Sequence, residues 1–164
     1  MDDETQVFLS FLDDQRNHVL GILEGLSEEQ LRQPVLPSGW TCLGMLQHLA
    51  LGVEHYWIRC LVAGESLDFF DGSHKDNPGE WIVDPDTPAE NIFALYRDEI
   101  ARSNAIIAVT PLDTPPRQRD ERLGEVQIPD LKFVILHMIE EIACHAGHLD
   151  VVRELLDGRR WMAL

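Results

Sequence analysis

The segment from residue 130 to residue 156 is the part of this sequence that most limits how the chain can fold. Its apolar residues recur mainly at steps of three and four, the spacing that buries one face of an α-helix. Gly158 follows the segment, and glycine is common just after a helix ends. The pattern therefore predicts one long helix with a broad apolar face.

Four ionisable residues interrupt this apolar face: His137, Glu141, His145 and His148. At about 100° per residue, the last three lie about 40°, 80° and 20° around the helix from the first, so all four face one way. Burying several ionisable groups without a shared partner is costly, whereas one divalent cation satisfies them together. Their neighbours are mostly apolar: Phe133, Val134, Leu136, Ile139, Ile142, Leu149 and Val152. The pattern is typical of a metal site.

A structural explanation of the same residues stays open at this point. A single buried histidine is often satisfied by a neighbouring carboxylate or a backbone carbonyl and needs no metal. Three histidines and a carboxylate on one face are harder to explain by packing alone. We therefore favour metal binding.

Three further segments show helical periodicity. Residues 3–26 form the first predicted helix, and the second runs from Thr41 to about Val62. Thr87, Pro88 and Glu90 resemble a capping box with a proline at the first helical position, which predicts a third helix through about residue 109. Between the first two, Ser27 and Gln30 resemble a second capping box for a short helical turn.

Two connections are long. Residues 65–86 are rich in Asp, Gly and Pro and carry Phe69, Phe70 and Trp81, aromatic residues that either line a functional pocket or cap the core. Residues 111–129 include a short apolar alternation that allows an extended stretch. Together with a length that suits one core, these features predict a single all-α domain over residues 1–164, a four-helix bundle with long loops between its second and third and its third and fourth helices.

Charge and composition exclude several classes of protein. The chain has 29 acidic and 13 basic residues and a formal charge of −16, which would repel phosphate backbones and anionic lipid surfaces. Nucleic acid and membranes are therefore not expected partners. The N-terminus starts with acidic residues, and no uncharged stretch reaches about 18 residues, so we expect a cytoplasmic protein.

The three cysteines, Cys42, Cys60 and Cys144, are an odd number without C-x-x-C spacing. That pattern argues against a disulfide framework and against a zinc site made of thiolates. We expect all three to be reduced and buried, with Cys144 a packing residue rather than a nucleophile.

A closed set of three metal ligands usually needs a residue from a second helix. The second predicted helix offers His48 and His55, which are two helical turns apart on about the same face. His48 is surrounded by apolar residues, which favours an interior position, but geometry alone leaves His55 open.

The stretch from Gly39 to Leu49, together with that from His137 to His148, resembles the DinB-like superfamily of metal-binding four-helix bundles. The resemblance covers nearly the whole chain. The superfamily includes thiol-dependent transferases and the metal-binding domain of mycothiol-dependent maleylpyruvate isomerase. Carried over by position, it implies His48, Glu141 and His145 as ligands, as in the isomerase branch. His137 and His148 match positions beside the metal pocket and become candidate catalytic residues that shuttle protons.

Three protein ligands leave an open position on the metal, which is typical of a catalytic site. The resemblance therefore implies a metal-dependent S-transferase that activates a low-molecular-weight thiol, such as mycothiol, toward a small electrophile. Zinc is the favoured metal, while Fe²⁺ and Ni²⁺ suit the same ligands. Family habit and apolar helix faces make a homodimer plausible. The isomerase carries an additional C-terminal domain that this sequence lacks, so activity on maleylpyruvate is not expected.

Two other functions stay open. A metal-binding bundle without turnover, acting in stress or as a sensor, would use the cation to hold the fold. A metal-dependent hydrolase would activate bound water and work without any thiol.

Overall fold

A computed structural model describes residues 3–67 and 80–161 of the chain. Within these residues regular structure is entirely helical, and the prediction of an all-α bundle is confirmed. The elements in chain order are α1 (Asp3–Leu23), α2 (Glu28–Arg32), α3 (Cys42–His48) with a π-helical continuation (Leu49–Val62), α4 (Ala89–Val109), a short 3₁₀ helix (Glu121–Leu123) and α5 (Leu131–Asp157).

Helices α1 and α5 run parallel to each other and pack closely. Glu4 near the start of α1 pairs with Lys132 near the start of α5 at 2.6 Å. Further along, His18 lies 2.9 Å from Asp150, and Arg153 donates to the carbonyl of Ile22 at 2.7 Å. Polar contacts along the length of both helices therefore hold the chain's two ends together.

The second long helix, which is α3 together with its π-helical continuation (residues 42–62), runs antiparallel to both α4 and α5. Glu54 lies beside Ser103 of α4, and Arg59 beside Glu99, which comes earlier in α4. Toward α5, the ring of Trp57 contacts that of His137. This arrangement brings the first turns of the second helix next to the middle of α5.

A continuous apolar core fills the space between the long helices. The second long helix contributes an apolar residue to this core at almost every turn. Its fully buried side chains include Leu43, Leu46, Leu49, Val53, Ile58 and Leu61, and those of the other helices include Leu12, Val19, Ile22, Tyr96, Ile107, Val134, Met138, Ile142 and Leu149.

Several predicted helix ends are confirmed. Ser27 accepts a hydrogen bond from the backbone of Gln30, whose side chain accepts one from the backbone of Ser27 in return, so that capping box is present. Thr41 caps α3 through the backbone of Gly44. Gly158 ends α5 with φ at 80°, the left-handed conformation that glycine adopts most readily.

The predicted start of the third helix is wrong in detail. Helix α4 begins at Ala89 with Pro88 as the N-cap, and no side chain of its own caps it, so Thr87 and Glu90 do not form a capping box. The backbone N–H of Ala89 donates instead to Glu28 of α2 at 3.2 Å. A carboxylate from a neighbouring helix therefore takes the role that the local sequence suggested for threonine.

Three other expectations differ from the structure. The first helix ends at Leu23 rather than residue 26, since Gly25 takes a φ of 79°. The connection before α5 contains a 3₁₀ turn and no extended strand among its described residues. Cys144 is exposed, because it lies on the solvent side of α5, whereas Cys42 and Cys60 are buried as predicted. Phe69 and Phe70 lie outside the described residues.

In the part of the chain that the structure describes, no helix has the length and apolar character that crossing a bilayer requires.

Candidate metal centre

The structure brings together one residue from the second long helix and two from α5. His48 is the last residue of α3, and Glu141 and His145 lie one turn apart in α5. One ligand atom from each of the three lies within 4.8 Å of the others. The predicted ligand residues therefore form one compact group.

Glu141 lies between the other two side chains. Its Oε1 is 3.6 Å from His48 Nε2 and 3.8 Å from His145 Nε2. Both distances exceed the range of a direct N–H to O hydrogen bond. The three donor atoms therefore converge without satisfying one another.

Burial makes these unsatisfied atoms significant. His48 is 8% exposed, and neither of its ring nitrogens has a hydrogen-bond partner among the described residues. His145 Nδ1 is also buried without such a partner, and His137 Nε2 is buried close to Glu141 Oε2 without the geometry of a hydrogen bond. An unsatisfied buried polar atom costs about 1–3 kcal/mol. Two imidazoles and a carboxylate are common ligands of Zn²⁺ and of other divalent transition metals, so the residues fit a cation.

Electrostatics favour the protonation state that a carboxylate ligand needs. His137, His145 and His48 hold the pKa of Glu141 far below its usual range, so this carboxyl is ionised at neutral pH. Burial alone would lower the pKa of His48, but Glu141 and Glu80 outweigh it and raise that pKa. The negative charge at the centre is therefore surrounded by groups that stabilise it.

His137 and His148, the candidate catalytic residues, lie on either side of this group. His137 Nε2 is 3.0 Å from Glu141 Oε2, the carboxylate oxygen that faces away from His48. The ring of His148 is exposed and lies 5.8 Å from that of His145. Both are near the centre, one against its carboxylate and the other at its rim.

The alternative ligand His55 lies elsewhere. Its Nδ1 is 3.1 Å from Arg59 Nη1 and 3.6 Å from Glu99 Oε2. The prediction that His48 and His55 share a face is wrong because the helix is π-helical from Leu49 onward. A π-helix has i→i+5 hydrogen bonds and more residues per turn, so residues seven apart no longer align.

Two residues of the loop before α4 contact His48, and only Trp81 is marked as a candidate by the sequence. The ring of Trp81 stacks on that of His48 at 3.9 Å with 15° between the planes, so this aromatic lines the centre. Glu80 Oε1 lies 3.6 Å from His48 Nδ1. No periodicity marks Glu80 in a loop rich in acidic residues, so only the fold could reveal its position.

A cavity of about 240 Å³ opens beside this loop. It is lined by His48, Gly52, Tyr56, Glu80 and Arg122. The cavity therefore borders both His48 and Glu80.

Comparison with known families matches the chain to the mycothiol S-transferase family, whose model covers residues 7–158. This chain belongs to the mycothiol S-transferase family. The matched range includes most of α1, all of α5 and everything between them. A comparison with curated proteins finds no match.

Membership of the mycothiol S-transferase family confirms the resemblance to DinB-like bundles. It also agrees with a low-molecular-weight thiol as cosubstrate and with a small molecule as its acceptor. The candidate centre lies well inside the matched range, since His48 and His145 are both far from its ends.

Proposed function

We propose that this protein transfers a low-molecular-weight thiol, mycothiol in the first instance, to a small electrophile with the help of a divalent cation. The observation that carries the proposal is the group of His48, Glu141 and His145, whose ligand atoms lie within 4.8 Å of one another in a chain of the mycothiol S-transferase family. We infer that these three residues hold the cation.

The donor set suits a catalytic site. When bound, a divalent cation with three protein ligands supplies an open position and lowers the pKa of a thiol that enters it. His48 and His145 offer imidazole nitrogens, and Glu141 offers an anionic oxygen that stays ionised at neutral pH. Zinc is the proposed metal, and elemental analysis of protein purified without an affinity tag distinguishes it from iron and nickel.

The thiol proton needs an acceptor before the sulfur can attack. His137 Nε2 lies against Glu141 Oε2 at 3.0 Å, and its side chain is partly exposed, so it can take up a proton beside the centre. A new S–C bond then forms on the electrophile, and either a leaving group departs or the proton returns to the adduct. His148, exposed at the rim, is placed to exchange that proton with solvent.

Replacing a ligand tests the proposal directly. We expect Glu141→Ala and His145→Ala each to reduce the metal-dependent conjugation of mycothiol to monochlorobimane at least 100-fold, because a cation with two ligands is held weakly. The measurement is the rate of bimane fluorescence with metal-loaded protein, against the metal-free protein as baseline. Circular dichroism checks that each variant keeps its helices.

Glu140→Ala is the matched control, since Glu140 is exposed on the same helix beside Glu141. It should keep the wild-type rate. No mycothiol-dependent rate above the metal-free baseline would contradict the transferase proposal. Turnover without thiol would indicate a hydrolase, and melting of the fold on metal removal without any turnover would indicate a purely structural cation.

A further inference from the structure

Glu80 lies on the opposite side of the His48 ring from Glu141. Its Oε1 is 3.6 Å from Nδ1, while Glu141 Oε1 is 3.6 Å from Nε2. A neutral imidazole carries its proton on only one of these nitrogens, and the other is free to act as a metal ligand. A hydrogen-bond acceptor at Nδ1 therefore favours the tautomer in which Nε2, the nitrogen that faces Glu141, carries no proton.

Two glycines of the second long helix give the Glu80 segment the space to lie against it. A Cβ on Gly52 would be 2.6 Å from Glu80 Oε2 and 2.9 Å from His48 Nδ1. A Cβ on Gly44 would be 2.1 Å from the carbonyl oxygen of Trp81. A larger residue at Gly44 would displace the backbone of the segment, and one at Gly52 would displace the Glu80 carboxylate or the His48 ring.

Further contacts fix the same segment over His48. Trp81 stacks on the imidazole, and the Gln47 side chain donates to the carbonyl of Ile82 at 3.3 Å. An indole thus covers one face of the His48 ring, and a carboxylate lies 3.6 Å from its Nδ1. Such contacts define the orientation of a ligand histidine.

We propose that Glu80 is a positioning residue. Its carboxylate accepts a hydrogen bond from the Nδ1–H of His48, so that the unprotonated Nε2 of the ring faces the cation. The inference rests on the proposed metal centre. The pair needs to shorten by about half an ångström to reach hydrogen-bonding distance. Because Glu80 is 33% exposed and borders the 240 Å³ cavity, water can replace it in part.

Metal affinity tests this role without any catalytic assay. We expect Glu80→Ala to weaken Zn²⁺ binding by about 10- to 100-fold, measured in competition with a chromophoric chelator. Glu80→Gln keeps a carbonyl acceptor and should recover most of the affinity. Glu140→Gln, an exposed carboxylate on α5, is the control and should bind as the wild type does.

A spectroscopic readout distinguishes positioning from a general loss of structure. In the metal-free wild type, at a pH high enough for the His48 ring to be neutral, its ¹⁵N chemical shifts should report a proton on Nδ1, and Glu80→Ala should move population toward a proton on Nε2. An unchanged tautomer in Glu80→Ala, with affinity within twofold of wild type, would overturn the proposal.

Gly52→Ala perturbs the same contact from the helix side and keeps the Glu80 residue itself. It should weaken Zn²⁺ binding, whereas Gly147→Ala should not, because a Cβ at Gly147 meets no atom within 4 Å. Equal affinity of both variants would contradict the proposed packing. His48→Ala separates the two proposals: if it binds Zn²⁺ as tightly as wild type, the metal centre itself is wrong, and the role of Glu80 falls with it.

Discussion

Glu141 is the residue on which the candidate centre converges. Its Oε1 faces the imidazoles of His48 and His145, and its Oε2 faces that of His137. These histidines lower the pKa of the carboxyl, so its charge contributes to stability at neutral pH and the contribution is lost as pH falls below the carboxyl's ordinary range. A single side chain thus links both proposed ligands to the proposed proton acceptor.

Outside the candidate centre, the buried hydroxyl of Tyr96 allows a test of how a single side chain affects stability. Its hydroxyl is fully buried without a hydrogen-bond partner among the described residues, and burial raises its pKa well above the usual value. Removing an unsatisfied hydroxyl is nearly neutral or stabilising. We therefore expect Tyr96→Phe to leave the free energy of unfolding in urea unchanged or to raise it by up to about 1 kcal/mol.

Tyr56→Phe is the comparison for this prediction. The Tyr56 hydroxyl donates to Asp120 at 2.7 Å, and its loss should lower the free energy of unfolding by about 1–2 kcal/mol. An equal loss in Tyr96→Phe would show that its hydroxyl has a partner in solution.

At the scale of the element, the second long helix changes its winding next to the proposed ligand. Its backbone is α-helical through His48 and π-helical from Leu49 to Val62. Gly52 lies beside His48 Nδ1 and Glu80, and the change of winding turns His55 toward Glu99. Wide π turns are frequent at functional sites, and here they separate two histidines that an α-helix would align.

The start of helix α4 is capped by a residue from another helix. Its first backbone N–H is capped by Glu28 of α2, whose side chain also accepts from Arg32. We expect Glu28→Ala to lower the free energy of unfolding by about 1 kcal/mol, because the start of α4 loses an acceptor and a favourable charge. Urea denaturation measures the change.

Glu29→Ala is the matched control for that cap, since Glu29 is exposed in the same turn of α2. It should change the free energy of unfolding by less than about 0.5 kcal/mol. Equal effects of the two variants would mean that Glu28 does not cap α4.

At the scale of the whole molecule, a buried ion pair joins three helices. The guanidinium of Arg16 in α1 donates through Nε and Nη2 to Glu54 of the second long helix, each at 2.7 Å. Its Nη1 donates to Asp13 and to Asn104 of α4, also at 2.7 Å. Arg16 is 1% exposed and Glu54 is 0% exposed, so the network lies inside the bundle.

Breaking this pair should affect the whole bundle. We expect Glu54→Ala to lower the free energy of unfolding by about 3–5 kcal/mol, because Arg16 is left buried without its main counter-charge. Replacing both residues by methionine should recover most of that loss, since the buried charges are then gone. Thermal and urea unfolding of the two variants measure the difference.

An exposed pair serves as the control for the buried one. Glu90 and Arg97 are 3.2 Å apart with both side chains largely exposed, so Glu90→Ala should cost at most about 1 kcal/mol. A cost for Glu54→Ala within that same range would contradict the structural importance of the buried pair.

Periodicity and helix-end chemistry were sufficient to predict much of this molecule. Apolar residues at three- and four-residue steps predicted the helical bundle, and Ser27, Gln30 and Gly158 marked helix ends that the structure confirms. These features are local, because a helix places residues three and four apart side by side whatever surrounds it. For the same reason Glu141 and His145, one turn apart, were found as a pair.

Contacts between distant segments were decided only by the tertiary structure. The Glu28 cap of α4 and the position of Glu80 beside His48 depend on helix packing and loop placement, which no local spacing encodes. The π winding after His48 was likewise hidden, because sequence periodicity was interpreted with the α-helical repeat. The sequence by itself determined the helices and the chemistry that α5 can offer, and the fold decided which side chains from elsewhere complete the site.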